Sequence, residues 1–269
     1  MTAVLKPLTT LDVSTSYRKV LLYGHHGWGK TTQMKYYQAE YGPGFIISGE
    51  SGLSSIRSAN IDFLPFTSWD GGSDPENNQY SFVDIFKWIR SPEFRKKKYK
   101  WIGIDSLSEL SDYSYKHAEA EAIQVAEKAG KKEHNGFAAW GNHTAQMLGA
   151  CKAVRDMPMH VIVTALAKEG KDSNDETEYW PMVAGKQLMN QLPGIFDCVF
   201  CGIRATSEDD NSKRRVVRYL VTDEVRGWHG KARDEGRRLK PVEKTGNVVE
   251  LFKRLDMSED DYQRTKKGK

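Results

Sequence analysis

The amino-acid sequence predicts an α/β fold: a mainly parallel, twisted sheet flanked by helices, with antiparallel strands at one edge. Three observations carry that expectation. Short apolar, β-prone runs alternate with helix-length patterns along most of the chain, and strands separated by helices pair in parallel. A glycine-rich loop joins the first strand to the first helix. Two late strand runs, residues 198–203 and 215–221, suit an antiparallel edge.

Residues 19–23 (KVLLY) form the first strand, and the helix after the loop covers residues 31–38. Gly42-Pro43-Gly44 stops that helix by removing donors and supplying turn geometry. Strands follow at 45–48 and 61–66, then a Gly/Asp/Asn loop over 70–78. Phe82, Ile85, Phe86 and Ile89 recur at helical spacing, giving a helix with one apolar face. A basic run, 95–98, leads into the strand 101–105. Helices are expected at 109–129 and 137–157, joined by residues 130–136, then a strand at 160–165. Residues 168–178 are polar enough to read as an exposed loop, and 185–192 as a short helix. The chain ends in an apolar helical stretch, 247–255, and a charged tail.

With 39% hydrophobic and 28% charged residues, the 269-residue chain can bury a core without disulfide staples. Three cysteines alone, Cys151, Cys198 and Cys201, argue for a reducing compartment. Cys198 and Cys201 make a C-x-x-C without a second pair at zinc spacing, inside an apolar run that reads as buried strand. No signal peptide or membrane-length apolar stretch occurs, so a cytoplasmic location is expected. A net charge of +4 permits nucleic-acid binding without demanding it.

Gly24-His25-His26-Gly27-Trp28-Gly29-Lys30-Thr31 matches G-x-x-x-x-G-K-[ST] at every fixed position, between the required strand and helix. Glycines let backbone N–H groups converge on phosphate oxygens, and the following helix, with Thr32 in its first turn, adds its positive end. Lys30 is expected to reach the β- and γ-phosphates of ATP, and the Thr31 hydroxyl to coordinate Mg²⁺. Trp28 either stacks near the nucleotide or caps the loop, while His25 and His26 read as solvent-facing. Asp105 ends an apolar strand and is the second Mg²⁺ candidate, with Ser106 or Ser108 capping the next helix. Glu50 follows the second strand and is the candidate for orienting or deprotonating water, provided that strand lies close to the first.

The loop GHHGWGKTT, the strand-then-glutamate FIISGESGL and the strand-then-Asp-Ser IGIDSLSEL together resemble the RecA-like class of P-loop ATPases. Within it, the chain looks most similar to phage-encoded members acting in single-strand annealing and recombination. The resemblance runs over residues 19–233 and implies a RecA-like ATPase domain at 19–240. An N-terminal extension (1–18) and a C-terminal helix with charged tail (241–269) complete the chain. It implies that Glu50 is the catalytic glutamate and Thr164 the γ-phosphate sensor. It further implies that Lys231 and Arg233 form a finger reaching a neighbouring subunit. The implied partners are single-stranded DNA, further copies of the chain in a ring or filament, and a phage single-stranded DNA-binding protein. A phage-infected bacterial host is the implied setting. Two loops are the implied DNA contacts: 130–136, with Lys131 and Lys132 near Phe137 and Trp140, and 168–180, with Lys168 and Lys171. A ring translocase or helicase motor, and a nucleotide-gated protein scaffold, are the alternatives. A GTPase is disfavoured because no N-K-x-D motif occurs.

Overall fold

The computed structural model describes residues 17–131, 133, 135–208 and 214–267. In chain order its first half comprises β1 (Lys19–Gly24), α1 (Thr32–Tyr41), β2 (Gly44–Ser48), β3 (Asp62–Ser68), β4 (Tyr80–Ser81), α2 (Phe82–Trp88), α3 (Pro92–Lys97) and β5 (Trp101–Asp105). Next come α4 (Leu107–Lys128), α5 (Gly136–Arg155), β6 (His160–Lys171), β7 (Thr177–Pro181), α6 (Lys186–Ile195), β8 (Cys198–Glu208) and β9 (Arg214–Val221). The short strands β10 (Glu224–Val225), β11 (Trp228–His229), β12 (Lys231–Ala232) and β13 (Val242–Glu243) precede α7 (Val248–Leu255) and α8 (Glu259–Lys267).

The main sheet runs β13-β9-β8-β1-β6-β5-β2-β3-β4. Strands β8, β1, β6, β5, β2 and β3 are parallel, whereas β9 pairs antiparallel with β8 and β13 with β9. The predicted fold class holds. Period-two alternation divides the strand side chains between two apolar layers. Leu21, Tyr23, Phe45, Ile47, Ile102, Ile104, Val161 and Val163 face one layer with α2 to α6. Val20, Leu22, Ile46, Trp101 and Ile162 face the other, against Met34 and Tyr37 of α1 and the apolar stripe of α7. Both faces are covered, which is why these strands read as continuous apolar runs.

Register aligns the strand ends that matter. Gly24 lies opposite Leu166 on one side and Gly202 on the other, and Ser48 opposite Asp105. The C-terminal ends of β8, β1, β6, β5 and β2 therefore open along one edge.

One expectation is corrected, and one condition is not met by adjacency. Residues 168–178 are not a loop, because β6 continues to Lys171 and returns antiparallel as β7, with Lys171 opposite Thr177. This hairpin protrudes with Lys168, Glu169 and Lys171 exposed, so it carries none of the apolar alternation by which a strand is recognised. Nor does β2 lie beside β1; β6 and β5 stand between them. A 3₁₀ turn over Ser51–Ala59 was also not foreseen.

Candidate active site

The loop after β1 is shaped by its glycines and pinned by its tryptophan. Gly27 and Gly29 adopt φ of 72° and 105°, a region that favours glycine. At Gly24, a β-carbon would come within 2.5 Å of the Gly202 carbonyl oxygen, so only glycine lets the loop leave β1 against β8. Trp28 is fully buried, lies across Gly202, and donates its indole N–H to the Ile203 carbonyl at 2.9 Å. The buried indole packs the loop against β8. His25 and His26 are exposed, and the His25 ring meets Tyr179 and Trp228 edge-on.

Lys30 is only 8% exposed and donates to the carbonyls of Gly24 (3.0 Å) and His25 (3.1 Å). Burial lowers its pKa, while the carboxylates of Glu50 and Asp105 pull it back up. Asp105, 1% exposed, receives the Thr31 hydroxyl at 2.8 Å on one oxygen and the Thr164 hydroxyl at 2.5 Å on the other. Burial raises its pKa, the two hydroxyls lower it, and nearby Glu50 raises it further. Thr164 thus reaches the site through β6, which runs between β1 and β5. Thr32 begins α1, and its hydroxyl lies 3.6 Å from where a Gly29 β-carbon would stand.

Glu50 arrives by way of β5 rather than by adjacency to β1. The Gly49 amide donates to the Asp105 carbonyl at 2.7 Å, and the Ser48 hydroxyl donates to the Glu50 carbonyl at 2.9 Å. Gly52 then lies over the Thr31 hydroxyl. The half-buried Glu50 carboxylate acts electrostatically on Lys30, Asp105 and Glu109. Glu109 was missed as a site residue. Burial and then Glu50 raise its pKa. Its local signal is legible in retrospect: Ser106 and Glu109 have capping-box spacing, and Ser106 accepts the Glu109 amide.

The donor set fits Mg²⁺. Thr31 and Asp105 offer a hydroxyl and a carboxylate already in contact, and this hard cation takes one or two protein oxygens alongside phosphate and water. Cys198 and Cys201 offer no alternative metal site. Three residues apart on β8, they fall in opposite apolar layers.

The remaining candidates lie elsewhere. Through β12, Lys231 pairs opposite Val199 near the start of β8, at the far end of the sheet from the loop. Its ammonium donates to the carbonyls of Pro193 (2.9 Å) and Phe196 (3.2 Å). The end of α6 leaves carbonyls without amide partners, and within the single chain this lysine satisfies them. Arg233 pairs with Asp197 at 2.9 Å, with its side chain still 62% exposed. Lys131 is exposed beyond α4, and Lys132 lies outside the described residues. Lys168 is exposed on the β6–β7 hairpin, while Lys171 donates to the Asp175 carbonyl at 2.7 Å. Phe137, at the start of α5, is 92% exposed, and Trp140 packs on Tyr115.

A glycine-shaped phosphate loop with its lysine, an acid-tipped strand one place removed, and a threonine hydroxyl between them define a P-loop nucleoside-triphosphatase. A family model described as AAA domain matches residues 16–234, and the chain belongs to this family of P-loop ATPases. Among solved structures, the chain is similar to the ATPase DotB of Legionella pneumophila, at 11% identity and a TM-score of 0.32. The alignment covers 93% of this chain and 61% of that one. No curated protein matches the sequence. Among the described residues, no helix is long and apolar enough to cross a membrane.

Proposed function

We propose that the chain is a Mg²⁺-dependent, RecA-like ATPase that assembles on single-stranded DNA and promotes recombination or annealing. The observation that carries the catalytic part is the Asp105 carboxylate shared between Thr31 and Thr164 beside Lys30 and Glu50. Thr31 and Asp105 would hold Mg²⁺, which when bound supplies charge neutralisation on the phosphates. Lys30 leaves the loop carbonyls for phosphate oxygens and stabilises negative charge as it develops. Glu50 orients the attacking water and accepts its proton. Thr164 fixes Asp105 and reports its position along β6.

β6 also supports the coupling to DNA. It leads without interruption from Thr164 to the protruding hairpin with Lys168 and Lys171. Lys131, Phe137 and Trp140 at the α4–α5 turn add charge and stacking surface for bases. Arg233 is the trans finger of an assembled ring or filament, exchanging Asp197 for a neighbour's terminal phosphate.

ATP turnover, measured with and without single-stranded DNA and with and without chelator, tests this reading alongside the mass of the assembly. Turnover should require Mg²⁺ and rise with DNA as the mass increases. A DNA-independent rate with no DNA binding at low salt would sink the DNA part. Turnover unaffected by chelator would sink the metal part.

A further inference from the structure

Two arginines outside every motif above close on the phosphate loop from the β8–β9 ribbon. Arg204 and Arg218 are directly opposed partners on these antiparallel strands. The Arg204 guanidinium Nη1 stands 3.0 Å from where a β-carbon on Gly27 would be. Arg218 Nε lies 3.8 Å from the equivalent point on Gly29 and donates to the Trp28 carbonyl at 2.7 Å. That bond fixes the stem of Arg218 and leaves its two Nη groups available.

The surroundings are built to keep Arg218 there. Gly246 presents bare backbone to its stem, since a β-carbon would come within 3.0 Å of Arg218 Cδ. Gln33, 1% exposed, donates to the carbonyls of both Gly29 and Gly246 and accepts the Val248 amide. It stitches the segment before α7 to the loop. Among the described residues, neither arginine has a carboxylate partner.

Like charges directly opposite one another on adjacent strands are destabilising. Here two exposed guanidiniums are opposed and unpaired, each beside a glycine of a loop whose backbone is arranged for anions. A polyphosphate chain beside both would turn repulsion into two charge-assisted contacts. We infer that Arg204 and Arg218 bind the nucleotide's polyphosphate in cis, opposite Lys30, through its phosphate oxygens. The inference rests on the nucleotide reading of the loop. It assigns cationic help to the chain's own β8–β9 ribbon, independently of any neighbour.

The test is calorimetric titration of the full chain with ATP-Mg²⁺ and with pyrophosphate-Mg²⁺. The variants are Arg204→Gln, Arg218→Gln, Arg218→Lys and the double glutamine variant. Each single glutamine change should weaken both ligands about tenfold, the double change about a hundredfold, with partial rescue by Arg218→Lys. The unliganded double variant should melt within a few degrees of the wild type, since relief of the like-charge pair is set against loss of the Arg218–Trp28 bond, while its ATP-induced shift in Tm shrinks. Affinities within twofold of wild type, with a lower Tm for the unliganded variant, would give the arginines a structural role and overturn the inference. Loss of ATP affinity with pyrophosphate unchanged would move the contact to the sugar or base and overturn it equally. A wild-type chain that binds neither ligand would overturn the nucleotide reading of the loop itself.

Discussion

Lys30 and Lys231 make the same contact at opposite ends of one sheet: each ammonium is held by two main-chain carbonyls, and burial lowers the pKa of each. Their surroundings differ. Around Lys231 the polar groups close on one another. Arg233 takes Asp197, whose carboxylate also accepts the Lys19 amide, and the Lys19 ammonium caps the carbonyls of Met157 and Met159. Burial pushes Lys19 down to about 8, against the pull of Asp197. Around Lys30, charge is gathered but not neutralised by contact. Asp105 is satisfied by hydroxyls, Lys30 by carbonyls, and Glu50 and Glu109 raise the local negative potential. One end is finished by the fold, while the other holds desolvated charge at a cost in stability that function recovers.

The largest expected effects follow from removing charge at the unfinished end. Lys30→Ala should abolish turnover, a loss of at least about 10²–10³-fold, because preorganised charge at developing negative oxygens is removed. Glu50→Gln should leave nucleotide binding near normal and lower turnover by about 10²–10⁴-fold. Steady-state turnover with a parallel binding titration separates the two. Near-normal turnover in either variant would break the assignment of this end as the reactive one.

Asp105→Asn carries the comparison into stability. Burial lifts the folded-state pKa of Asp105 above its ordinary value of 3.8, so ionisation costs folding energy. That cost is absent below the unfolded value, grows as pH rises past it, and is complete above the folded value. Asparagine still accepts one of the two threonine hydroxyls on its oxygen and can donate its amide N–H to the other's oxygen, but it carries no charge. The unliganded variant should therefore melt above the wild type at pH 7, and the gap should close as pH falls toward 4. Turnover should drop on the order of a hundredfold or more, the outcome expected of the carboxylate proposed to hold Mg²⁺. A variant melting below the wild type at pH 7 would show that the site is finished after all.

These contrasts explain what was legible in the sequence. The phosphate loop, the strands ending at Asp105 and Ser48, and the antiparallel edge could be read because their patterns are local: glycine spacing, apolar runs and alternation. Glu50 was read as a candidate on condition that its strand lay close to the first, and β2 instead approaches through β5. The β6–β7 hairpin was invisible because strands that leave the core lose the apolar alternation that marks them. Arg204 and Arg218 could not be found from spacing, since only strand register brings residues fourteen apart face to face. The carbonyls beneath Lys231 were equally hidden, because a K-x-R pattern does not say what will lie under the lysine.

Arg233 and Lys231 then separate within that single motif. Arg233 meets Asp197 with most of its own side chain in solvent, and such a pair contributes on the order of 1 kcal/mol. Arg233→Ala should therefore leave folding and ATP affinity near normal, while lowering turnover of the DNA-bound assembly by tenfold or more, on the order expected for a modest trans finger. Sedimentation of the assembly alongside the rate distinguishes lost chemistry from lost association. An unchanged rate in an intact assembly would return Arg233 to the finished end.

Lys231→Ala should have the smallest effect, and it tests the comparison most directly because it repeats the Lys30 substitution at the other end. Removing Lys231 strips the Pro193 and Phe196 carbonyls of a donor in a partly buried setting, where an unmade hydrogen bond costs about 1 kcal/mol or somewhat more. The unfolding midpoint should fall by a few degrees, as expected for about 1 kcal/mol in a domain of this size. Turnover per folded assembly should be unchanged, and Lys231→Arg should recover most of the midpoint by keeping a donor over α6. A large loss of turnover at an unchanged midpoint would reverse the assignment, making Lys231 a reactive group and the end of α6 incidental to it.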